Sequence, residues 1–589
     1  MDATFRQWLA ILRPFVKVEG SSVFSHCLIK VSAFCSLVEK GIFEQSLTFR
    51  STTMSEFSTP TNTDECSNLV SWILNKAGDP DKPVLIDAAD ESRFVTQNMA
   101  AKLYTGLVGA FEEDNAVCLH LPNDVLYPVL MLGVWGSRCR WTGSNTAYTA
   151  HELKHHISVS KSKYVITLSE HLETVRSATC ELTVDDVEII MFSDILQAEA
   201  RPKEKVQGLR TVHDLLDTRS ADKSGQVLAT ITANDIAALQ STSGTTGLPK
   251  MAIRTHGSFM RESAAIQDDD QAKGYEVRRL FCTPVFHAFS TPEVAINSLR
   301  CGLPTYIMKR YDDTFAQKVH KFEITEIAAP PPILLRLQQQ ADAHPLLQGV
   351  RKIFTGGAPL SAELRSRALE IFDVKPRIIP VWGMTEGGWF TTFRHGEDDT
   401  TGSVGKLLPG FEVKVITDPD VKSTKGQVTG ELLVRSKQVM TGYFENDKAT
   451  KEAFDGDWLK TGDVGYVRNA KVYLIDRKKD LIKVNGFQVA PAELEGALFD
   501  LACVGDSAAI SAGSGTDEYP LVFVVLADKS LGEAVALEAI KRRLQENLAH
   551  YKWGKVDVKF VDSIPRNPSG KILRKQLREQ AKATAKGWL

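Results

Sequence analysis

The sequence predicts an α/β protein with a large N-terminal domain and a small C-terminal domain. Short apolar segments rich in β-forming residues, such as 117–121 and 163–168, alternate with helical patterns such as 128–135 and 150–158, and this order is typical of largely parallel sheets. After about residue 410 the pattern changes to strands joined by tight turns. With 589 residues the chain is too long for a single hydrophobic core, so we expect several subdomains.

Two boundaries divide the predicted domains. A charged cluster, DRKKD at 476–480, precedes a terminal piece that has its own strand, LVFVVLAD, and a helical pattern at 532–547. Near the other end, Met54 is an alternative start. We therefore predict an N-terminal extension of unknown role, a large domain made of two α/β subdomains and a β-rich subdomain, and a small α+β domain, at 1–53, 54–478 and 479–589.

Composition excludes several classes of function. Lys and Arg number 70 against 73 Asp and Glu, so the net charge of −3 gives no electrostatic argument for nucleic acid or an anionic membrane. None of the nine cysteines has CxxC spacing, which argues against a zinc site or a disulfide framework and for reduced thiols.

No apolar run reaches about 18 residues, so no membrane span is expected. The final residues, GWL, differ from the peroxisomal signal SKL, and we expect an intracellular, cytoplasmic protein.

The most informative stretch is the loop STSGTTGLPK at 241–250, which follows a predicted strand. Glycine lets backbone N–H groups approach a ligand closely, and serine and threonine hydroxyls add donors. Lys250 adds a point charge that suits phosphate. A polar surface turn is the alternative interpretation. The predicted phosphate-binding residues are Ser241, Thr242, Ser243, Gly244, Thr245, Thr246, Gly247 and Lys250.

The loop differs from a Walker A motif. That motif places its lysine and a following hydroxyl at the start of a helix, whereas here Pro249 precedes Lys250 and Met251 follows it. Proline removes one N–H donor and biases Leu248 toward extended backbone. We therefore predict a flexible clamp over a triphosphate rather than a phosphate bound at a helix start.

The loop resembles the phosphate-binding signature of adenylate-forming enzymes, S-[ST]-G-T-T-G-x-P-K-G, with Met251 where glycine is usual. These enzymes comprise acyl-CoA synthetases, adenylation domains of peptide synthetases, and luciferases. The segment KVNGFQVAPAELE is similar to that of 4-coumarate–CoA ligases. Other family motifs have counterparts here, in the family's order, at TPVFHAF (283–289), TGGAPLS (355–361), PVWGMTEGG (380–388), DGDWLKTGDVGYV (455–467) and IPRNPSGKILRKQL (564–577).

The resemblance implies an ATP-dependent ligase that activates a carboxylic acid as acyl-AMP, releases pyrophosphate and transfers the acyl group to the thiol of coenzyme A. It implies that a mobile small domain delivers Lys571 to the reacting phosphate. His287 then lies beside the substrate carboxylate and Thr385 donates to the α-phosphate. Glu386 is the implied ligand of Mg²⁺, a cation that prefers carboxylate and phosphate oxygens. These four residues are the predicted catalytic group.

The resemblance also implies three sets of binding residues. For adenine and ribose they are Gly356, Gly357, Ala358, Trp382, Gly383, Met384, Asp463 and Arg477. For an apolar pocket that takes an aryl or medium-chain acid they are Phe289, Val381 and Gly388. For the thioester step they are Lys479, Lys483, Gly486 and Gln488. Trp389 is a bulky departure from the family pattern, which leaves the size of the pocket open.

Three alternatives stay open at this point. The same tunnel can serve the phosphopantetheine arm of a carrier protein instead of coenzyme A. A luciferase-like oxygenase requires a specialised substrate. An inactive nucleotide-binding scaffold is expected to lack one of Lys571, Glu386 and Asp463, and all three are present. Ser290 and Thr291 offer no aspartate for an amino group, which argues against an amino acid as the substrate.

Overall fold

The computed structural model describes most of the chain from residue 66 onward. Of the predicted extension 1–53, it describes only the first strand, β1 (Ser46–Arg50). The residues from 66 onward belong to one unit, Thr48–Leu589, and the domain boundaries drawn from the sequence stay predictions. The described residues are 46–50, 66–75, 79–180, 182, 187–196, 208–216, 227–242, 249–357, 360, 362–397, 399–417, 427–484, 487–499, 501–513, 518–548, 550–567 and 570–586.

Strands and helices alternate through the first part of the described chain, and strands dominate after it. The further strands are β2 (Pro83–Asp87), β3 (Phe94–Thr96), β4 (Ala116–His120), β5 (Arg140–Gly143), β6 (Ser162–Thr167), β7 (Glu188–Met191), β8 (Arg210–Thr211), β9 (Ile236–Thr242), β10 (Lys250–Thr255), β11 (Arg279–Phe281), β12 (Thr305–Ile307), β13 (Glu326–Ala328), β14 (Lys352–Gly356), β15 (Arg377–Met384), β16 (Gly388–Thr392), β17 (Lys406–Leu407), β18 (Glu412–Thr417), β19 (Gly430–Arg435), β20 (Phe454–Asp455), β21 (Trp458–Arg468), β22 (Lys471–Arg477), β23 (Ile482–Val484), β24 (Phe487–Val489), β25 (Val504–Ala512), β26 (Tyr519–Leu526) and β27 (Asp557–Phe560).

The α-helices are fewer and mostly short. They are α1 (Leu69–Leu74), α2 (Gln97–Leu107), α3 (Tyr127–Gly136), α4 (Ala150–Ser160), α5 (Leu172–Thr179), α6 (Val212–Leu216), α7 (His256–Ile266), α8 (Ser298–Cys301), α9 (Phe315–Lys321), α10 (Pro331–Gln339), α11 (Ala362–Glu370), α12 (Asp447–Ala453), α13 (Pro491–Leu498), α14 (Glu533–Asn547), α15 (His550–Trp553) and α16 (Arg574–Lys586). One turn of π-helix, Thr291–Asn297, precedes α8.

Local sequence explains several of these elements. At the start of α4 the Thr149 hydroxyl accepts the Glu152 N–H at 3.3 Å, and the Glu152 carboxylate accepts the Thr149 N–H at 2.8 Å; this capping box satisfies two donors that a helix start leaves unpaired. Strand β4 is buried at every position and apolar except for His120, as expected for a strand with parallel neighbours on both sides. Helix α3 has no charged residue and is wholly buried.

Two sheets of mainly parallel strands form the large domain. The first has the order β10-β9-β5-β4-β6-β7-β8 and is parallel except for the β9–β10 hairpin. The second runs β3-β2-β12-β11-β13-β14-β15, parallel except for β2–β3. It continues from β15 through antiparallel strands of the β-rich part in the order β16-β17-β22-β21-β19-β18.

The small C-terminal domain has a core of its own. Strand β26 pairs antiparallel with β25 and parallel with β27. Alternate residues of β26 face opposite sides of this sheet: Val522 and Val524 pack with Leu494 and Ile540 from helices α13 and α14. On the other side, Leu577 of α16 belongs to a second apolar cluster. The predicted fold class, α/β with a large and a small domain, is confirmed.

The predicted secondary structure is confirmed with small shifts of boundary. Segments 117–121 and 163–168 correspond to β4 and β6, and helical patterns 128–135 and 150–158 correspond to α3 and α4. The pattern at 532–547 corresponds to α14. In the part of the chain that the structure describes, no helix is both long enough and apolar enough to cross a membrane.

Gly430 offers a test of the strand register in the β-rich part. It pairs with Thr417 of β18, and a Cβ at Gly430 would lie 1.9 Å from the carbonyl oxygen of Ile416, so the backbone would have to shift. We expect Gly430→Ala to destabilise the protein by about 2–3 kcal/mol, seen by calorimetry as a lower Tm. Gly274→Ala adds a Cβ with nothing within 4 Å and is the neutral control. An unchanged Tm for Gly430→Ala contradicts this register.

Candidate active site

A cavity of about 500 Å³ lies where the β15–β16 hairpin, the β9–β10 hairpin and the small domain meet. It brings together residues that the sequence analysis assigned to catalysis, phosphate binding, nucleotide binding, the acyl pocket and the thioester step. The predicted site residues that line it are Thr242, Lys250, His287, Phe289, Gly357, Val381, Gly383, Met384, Thr385, Glu386, Gly388, Arg477, Lys479 and Lys571. The individual roles of these residues stay predictions.

The β15–β16 hairpin presents two polar residues to the cavity. Strand β15 ends at Met384 and β16 begins at Gly388, so Thr385 and Glu386 lie in the turn between them. The strands approach so closely that a Cβ at Gly383 would lie 2.2 Å from the Gly388 carbonyl oxygen. Gly388 itself has a φ of +70°, which favours glycine. The glycines of WGMTEGG therefore fix the shape of this turn.

A chain of three residues connects Glu386 to the phosphate loop. The Tyr443 hydroxyl donates to Glu386 Oε1 at 2.7 Å, and the Lys250 ammonium lies 4.9 Å from the centre of the Tyr443 ring. Burial and the Glu386 carboxylate raise the pKa of Tyr443, so the hydroxyl keeps its proton and remains a donor. Sequence reasoning missed Tyr443 because a single tyrosine in a strand-rich segment usually has a role in hydrophobic packing.

His287 lines the cavity as a neutral donor. Its Nδ1 accepts the backbone N–H of Phe289 at 3.2 Å, so the neutral ring carries its proton on Nε2. Burial and the positive charge of Lys571 lower the pKa of His287 to about 4. At neutral pH the ring is therefore uncharged, and it suits a hydrogen bond to a carboxylate rather than an ion pair.

Lys571 reaches the cavity from a tight turn of the small domain. Gly570, with a φ of +83°, donates its N–H to the Asn567 carbonyl oxygen at 2.8 Å. The Asn567 side chain in turn accepts the Lys571 N–H at 2.8 Å. A Cβ at Gly570 would lie 2.7 Å from Pro332 of α10, so the turn packs closely against the large domain. The glycine and asparagine of NPSGK thus position the lysine that follows them.

Positive charges surround the side chain of Lys571. Burial, followed by the charges of Arg477 and Lys479, lowers the pKa of Lys571 to about 8. Burial also lowers the pKa of Lys479. The lysine cation at 571 is thus present below about pH 8 and is lost above it, and an anion bound in the cavity would stabilise it. This electrostatic arrangement suits a polyanionic ligand.

Asp463 lies beside the cavity in a fixed orientation. Its Oδ1 pairs with Arg477 Nε at 2.6 Å, and its Oδ2 accepts the indole N–H of Trp382 at 2.8 Å. The Trp382 side chain is only 3% exposed and packs edge-to-face on Phe390 with ring centroids 5.0 Å apart. Neither Asp463 nor Trp382 belongs to the residues that line the cavity, so ribose binding and adenine stacking there stay predictions.

Aromatic rings form one end of the cavity. Phe289 and Trp389 stack with centroids 5.7 Å apart and planes 15° apart, and Phe354 meets Trp389 edge-on at 5.9 Å. Gly356 lies behind this pair, where a Cβ would come within 3.0 Å of the Phe289 ring. Val381 adds further apolar surface. This end has the apolar character that the sequence predicted for an acyl pocket.

Several predicted residues lie elsewhere. Ser241 in β9 and Gly356 in β14 do not line the cavity. Lys483 and Gln488 face each other as backbone partners in the β23–β24 hairpin, and their side chains are outside the described part of the chain. Also outside the described residues are Ser243, Gly244, Thr245, Thr246, Gly247, Ala358 and Gly486.

Two family models match the chain. The model for AMP-binding enzymes matches residues 75–444, and the model for the AMP-binding enzyme C-terminal domain matches residues 493–571. The chain belongs to the AMP-binding enzyme family. The second match ends at Lys571, one of the small-domain residues that line the cavity. The family predicted from the sequence motifs is therefore confirmed.

Relatives within this family include named CoA ligases. An acyl-CoA ligase of Phoma sp. is 44% identical over 526 residues, which cover 88% of this chain and 96% of that relative. A phenylacetyl-CoA ligase of Aspergillus niger is 34% identical, and the matched region covers 87% of this chain and 96% of that relative. A solved anthranilate–CoA ligase in complex with anthranoyl-AMP shares the fold, with a TM-score of 0.75 at 22% identity over 88% of this chain and 98% of that one. The predicted enzyme class, an AMP-forming acid–thiol ligase, is confirmed.

We expect Tyr443→Phe to weaken binding of ATP with Mg²⁺ without unfolding the protein. The change removes a hydrogen bond to a charged carboxylate, worth about 1.5–3 kcal/mol, so Glu386 loses its fixed orientation. Titration calorimetry should show a Kd raised about tenfold. Tyr306→Phe is the matched control, because that ring stacks on Phe322 outside the cavity. Equal Kd values for the wild type and Tyr443→Phe would show that Glu386 needs no such support.

Proposed function

We propose that the protein is an ATP-dependent acid–CoA ligase that forms an acyl-AMP intermediate and then transfers the acyl group to coenzyme A. One observation carries the proposal: Lys571 of the small domain and Glu386 of the large domain line the same cavity as His287. A cation, a carboxylate able to bind a metal, and a neutral hydrogen-bond donor are the groups that a carboxylate attacking a phosphate requires. The family membership of the chain supports this assignment.

The first half-reaction brings two anions together. An oxygen of the substrate carboxylate attacks the α-phosphorus of ATP, the bond to the bridging oxygen breaks, and pyrophosphate leaves. Negative charge grows on the phosphate oxygens, so cations and donors already in position lower the barrier. Lys571 supplies a positive charge and Thr385 a hydroxyl. His287 holds the acid through Nε2–H without neutralising it, so the attacking oxygen stays nucleophilic.

Glu386 suits a magnesium ion bound to ATP. Its Oε1 accepts a hydrogen bond from the Tyr443 hydroxyl. This bond fixes the orientation of the carboxylate, which lines the cavity. A hard carboxylate oxygen beside a phosphate site is what Mg²⁺ prefers, because this ion binds through one or two carboxylates plus phosphate oxygens. Bound there, the ion would supply positive charge to the phosphates. Glu386, oriented by the Tyr443 hydroxyl, would hold it.

The second half-reaction transfers the acyl group to a thiol. The thiolate of coenzyme A attacks the acyl carbon and AMP leaves. The names of the relatives described above support coenzyme A as acceptor, and no such support exists for a carrier protein. Lys479 lies in the segment that joins the two domains, followed by Asp480, which pairs with Arg578 of α16 at 2.7 Å. We assign this segment as the hinge that lets the small domain carry Lys571 away before the thiol enters.

Acid-dependent exchange of labelled pyrophosphate into ATP tests the first half-reaction, and thioester formation with coenzyme A tests the second. Lys571→Ala is expected to slow the exchange about 10²–10³-fold, because it removes a charge that is already in position. Lys529→Ala is the matched control, since Lys529 is exposed and pairs with Asp562 on the surface. Absence of exchange across a broad panel of acids overturns the proposal. Thioester formed on a carrier protein but not on coenzyme A overturns the proposed acceptor.

The pH dependence of the first half-reaction gives a further test. Because the pKa of Lys571 is about 8 without substrate, kcat/KM for ATP, which reports the free enzyme, should fall about tenfold per pH unit above that value. His287, with a pKa of about 4, stays neutral throughout this range. Lys571→Arg should flatten the alkaline limb, because arginine keeps its charge. A wild-type profile that stays flat into the alkaline range contradicts the role of Lys571.

A further inference from the structure

The aromatic end of the cavity contains Trp389, whose ring stacks on Phe289 and fills space there. We propose that Trp389 is the specificity-determining residue that closes the acyl pocket and restricts the ligase to compact acids with no charge beyond the reacting carboxylate. The inference rests on the proposed function, because it concerns the acid that the ligase activates.

Trp389 is held at both its ring and its backbone. Its indole N–H donates to the Phe289 carbonyl oxygen at 3.1 Å, and its backbone N–H donates to Glu262 Oε1 at 2.9 Å. The side chain is 2% exposed. Moving the ring aside for a longer substrate would break the first hydrogen bond and leave a buried carbonyl without its partner, which is costly. The indole is therefore a fixed part of the wall rather than an adjustable one.

The layer behind Trp389 is equally fixed. Glu262 and Arg254 have no exposed surface and form an ion pair at 2.8 Å. The Glu262 carboxylate fills the space next to Gly388, where a Cβ would come within 2.1 Å of Oε1. Because an ion pair buried this deeply cannot lose one partner without leaving the other charge uncompensated, the backbone of Trp389 rests against a rigid support.

The stacked rings leave no room between them for an acyl chain. Carbon atoms in contact lie about 3.5–4.0 Å apart, so a guest between two rings needs about 7–8 Å. Phe289 and Trp389 are only 5.7 Å apart at their centroids. Phe354 lies next to this pair of rings. The Lys352 ammonium lies 4.3 Å from the centre of the Phe354 ring and 2.7 Å from Asp268. A longer apolar chain would have to enter this charged layer, which would desolvate charges without pairing them.

The same end of the cavity also selects against charge on the acyl group. The cavity lining here includes the apolar residues Ala288, Phe289, Gly357, Val381, Gly388 and Trp389. A second carboxylate or an ammonium on the acid would lose water there and gain no partner, at a large cost. The substrate class that fits is a compact aromatic or short aliphatic monocarboxylic acid.

Pyrophosphate exchange with two series of acids tests the proposal. One series runs from butanoate to dodecanoate, and the other comprises benzoate, phenylacetate, 4-phenylbutanoate and the dicarboxylate succinate. The wild type should show its highest kcat/KM with a compact monocarboxylic acid. Trp389→Ala should raise the preference for long over compact acids by about 10–200-fold, the range that one pocket contact supplies. Trp389→Phe should shift it less.

Trp553→Ala is the matched control, because it removes a tryptophan of the small domain that packs on His550 and should leave the length preference unchanged. A folded Trp389→Ala with the wild-type length preference overturns the proposal. If that variant does not fold, Trp389→Phe decides: a shift toward longer acids supports the proposal and an unchanged profile overturns it. A wild type that prefers dodecanoate or succinate also overturns it. A wild type that exchanges with none of the acids overturns the proposed function itself, so the two failures are distinguishable.

Discussion

The close approach of strands β15 and β16 is the constraint on which the cavity depends. Only glycine fits at Gly383 and Gly388, because a Cβ at either position would lie within 2.2 Å of a neighbouring heavy atom. The turn between them holds Thr385 and Glu386, and the strand that follows begins with Gly388 and Trp389. The same stretch of backbone therefore sets the positions of Thr385, Glu386 and Trp389 in the cavity.

Electrostatic repulsion within the cavity gives it a preference for a polyanion. Among the described lining residues, six are lysine or arginine and three are glutamate. In the protein alone, burial and the neighbouring charges of Arg477 and Lys479 lower the pKa of Lys571. A triphosphate would relieve the repulsion and restore the full charge of Lys571. Binding energy from ATP is thus available to hold the two domains together while the acyl-AMP forms.

The parts of the site that were readable from the sequence are those built by consecutive residues. WGMTEGG encodes its own hairpin turn, since the glycines permit the close strands and the Thr-Glu pair occupies the tip. NPSGK encodes the turn that projects Lys571. The strand predicted before the phosphate loop is β9, and it pairs as a hairpin with β10, which follows the loop. In each case the backbone conformation is a local property, so type and spacing of residues were enough.

The sequence by itself determined the family and the fold class and predicted residues that meet in the cavity, whereas the tertiary structure decided which side chains support those residues. Tyr443 and Glu386 are 57 positions apart, Trp382 and Asp463 are 81 apart, and Glu262 and Trp389 are 127 apart. Sequence reasoning predicted that Trp382 stacks on adenine, and it did not predict that the indole N–H donates to Asp463. A hydrogen bond between distant residues depends on how strands pair and sheets pack, and no local pattern of residues specifies it. The predicted acyl pocket is of this kind, because Glu262 and Trp389 meet only once helix α7 is packed against strand β16.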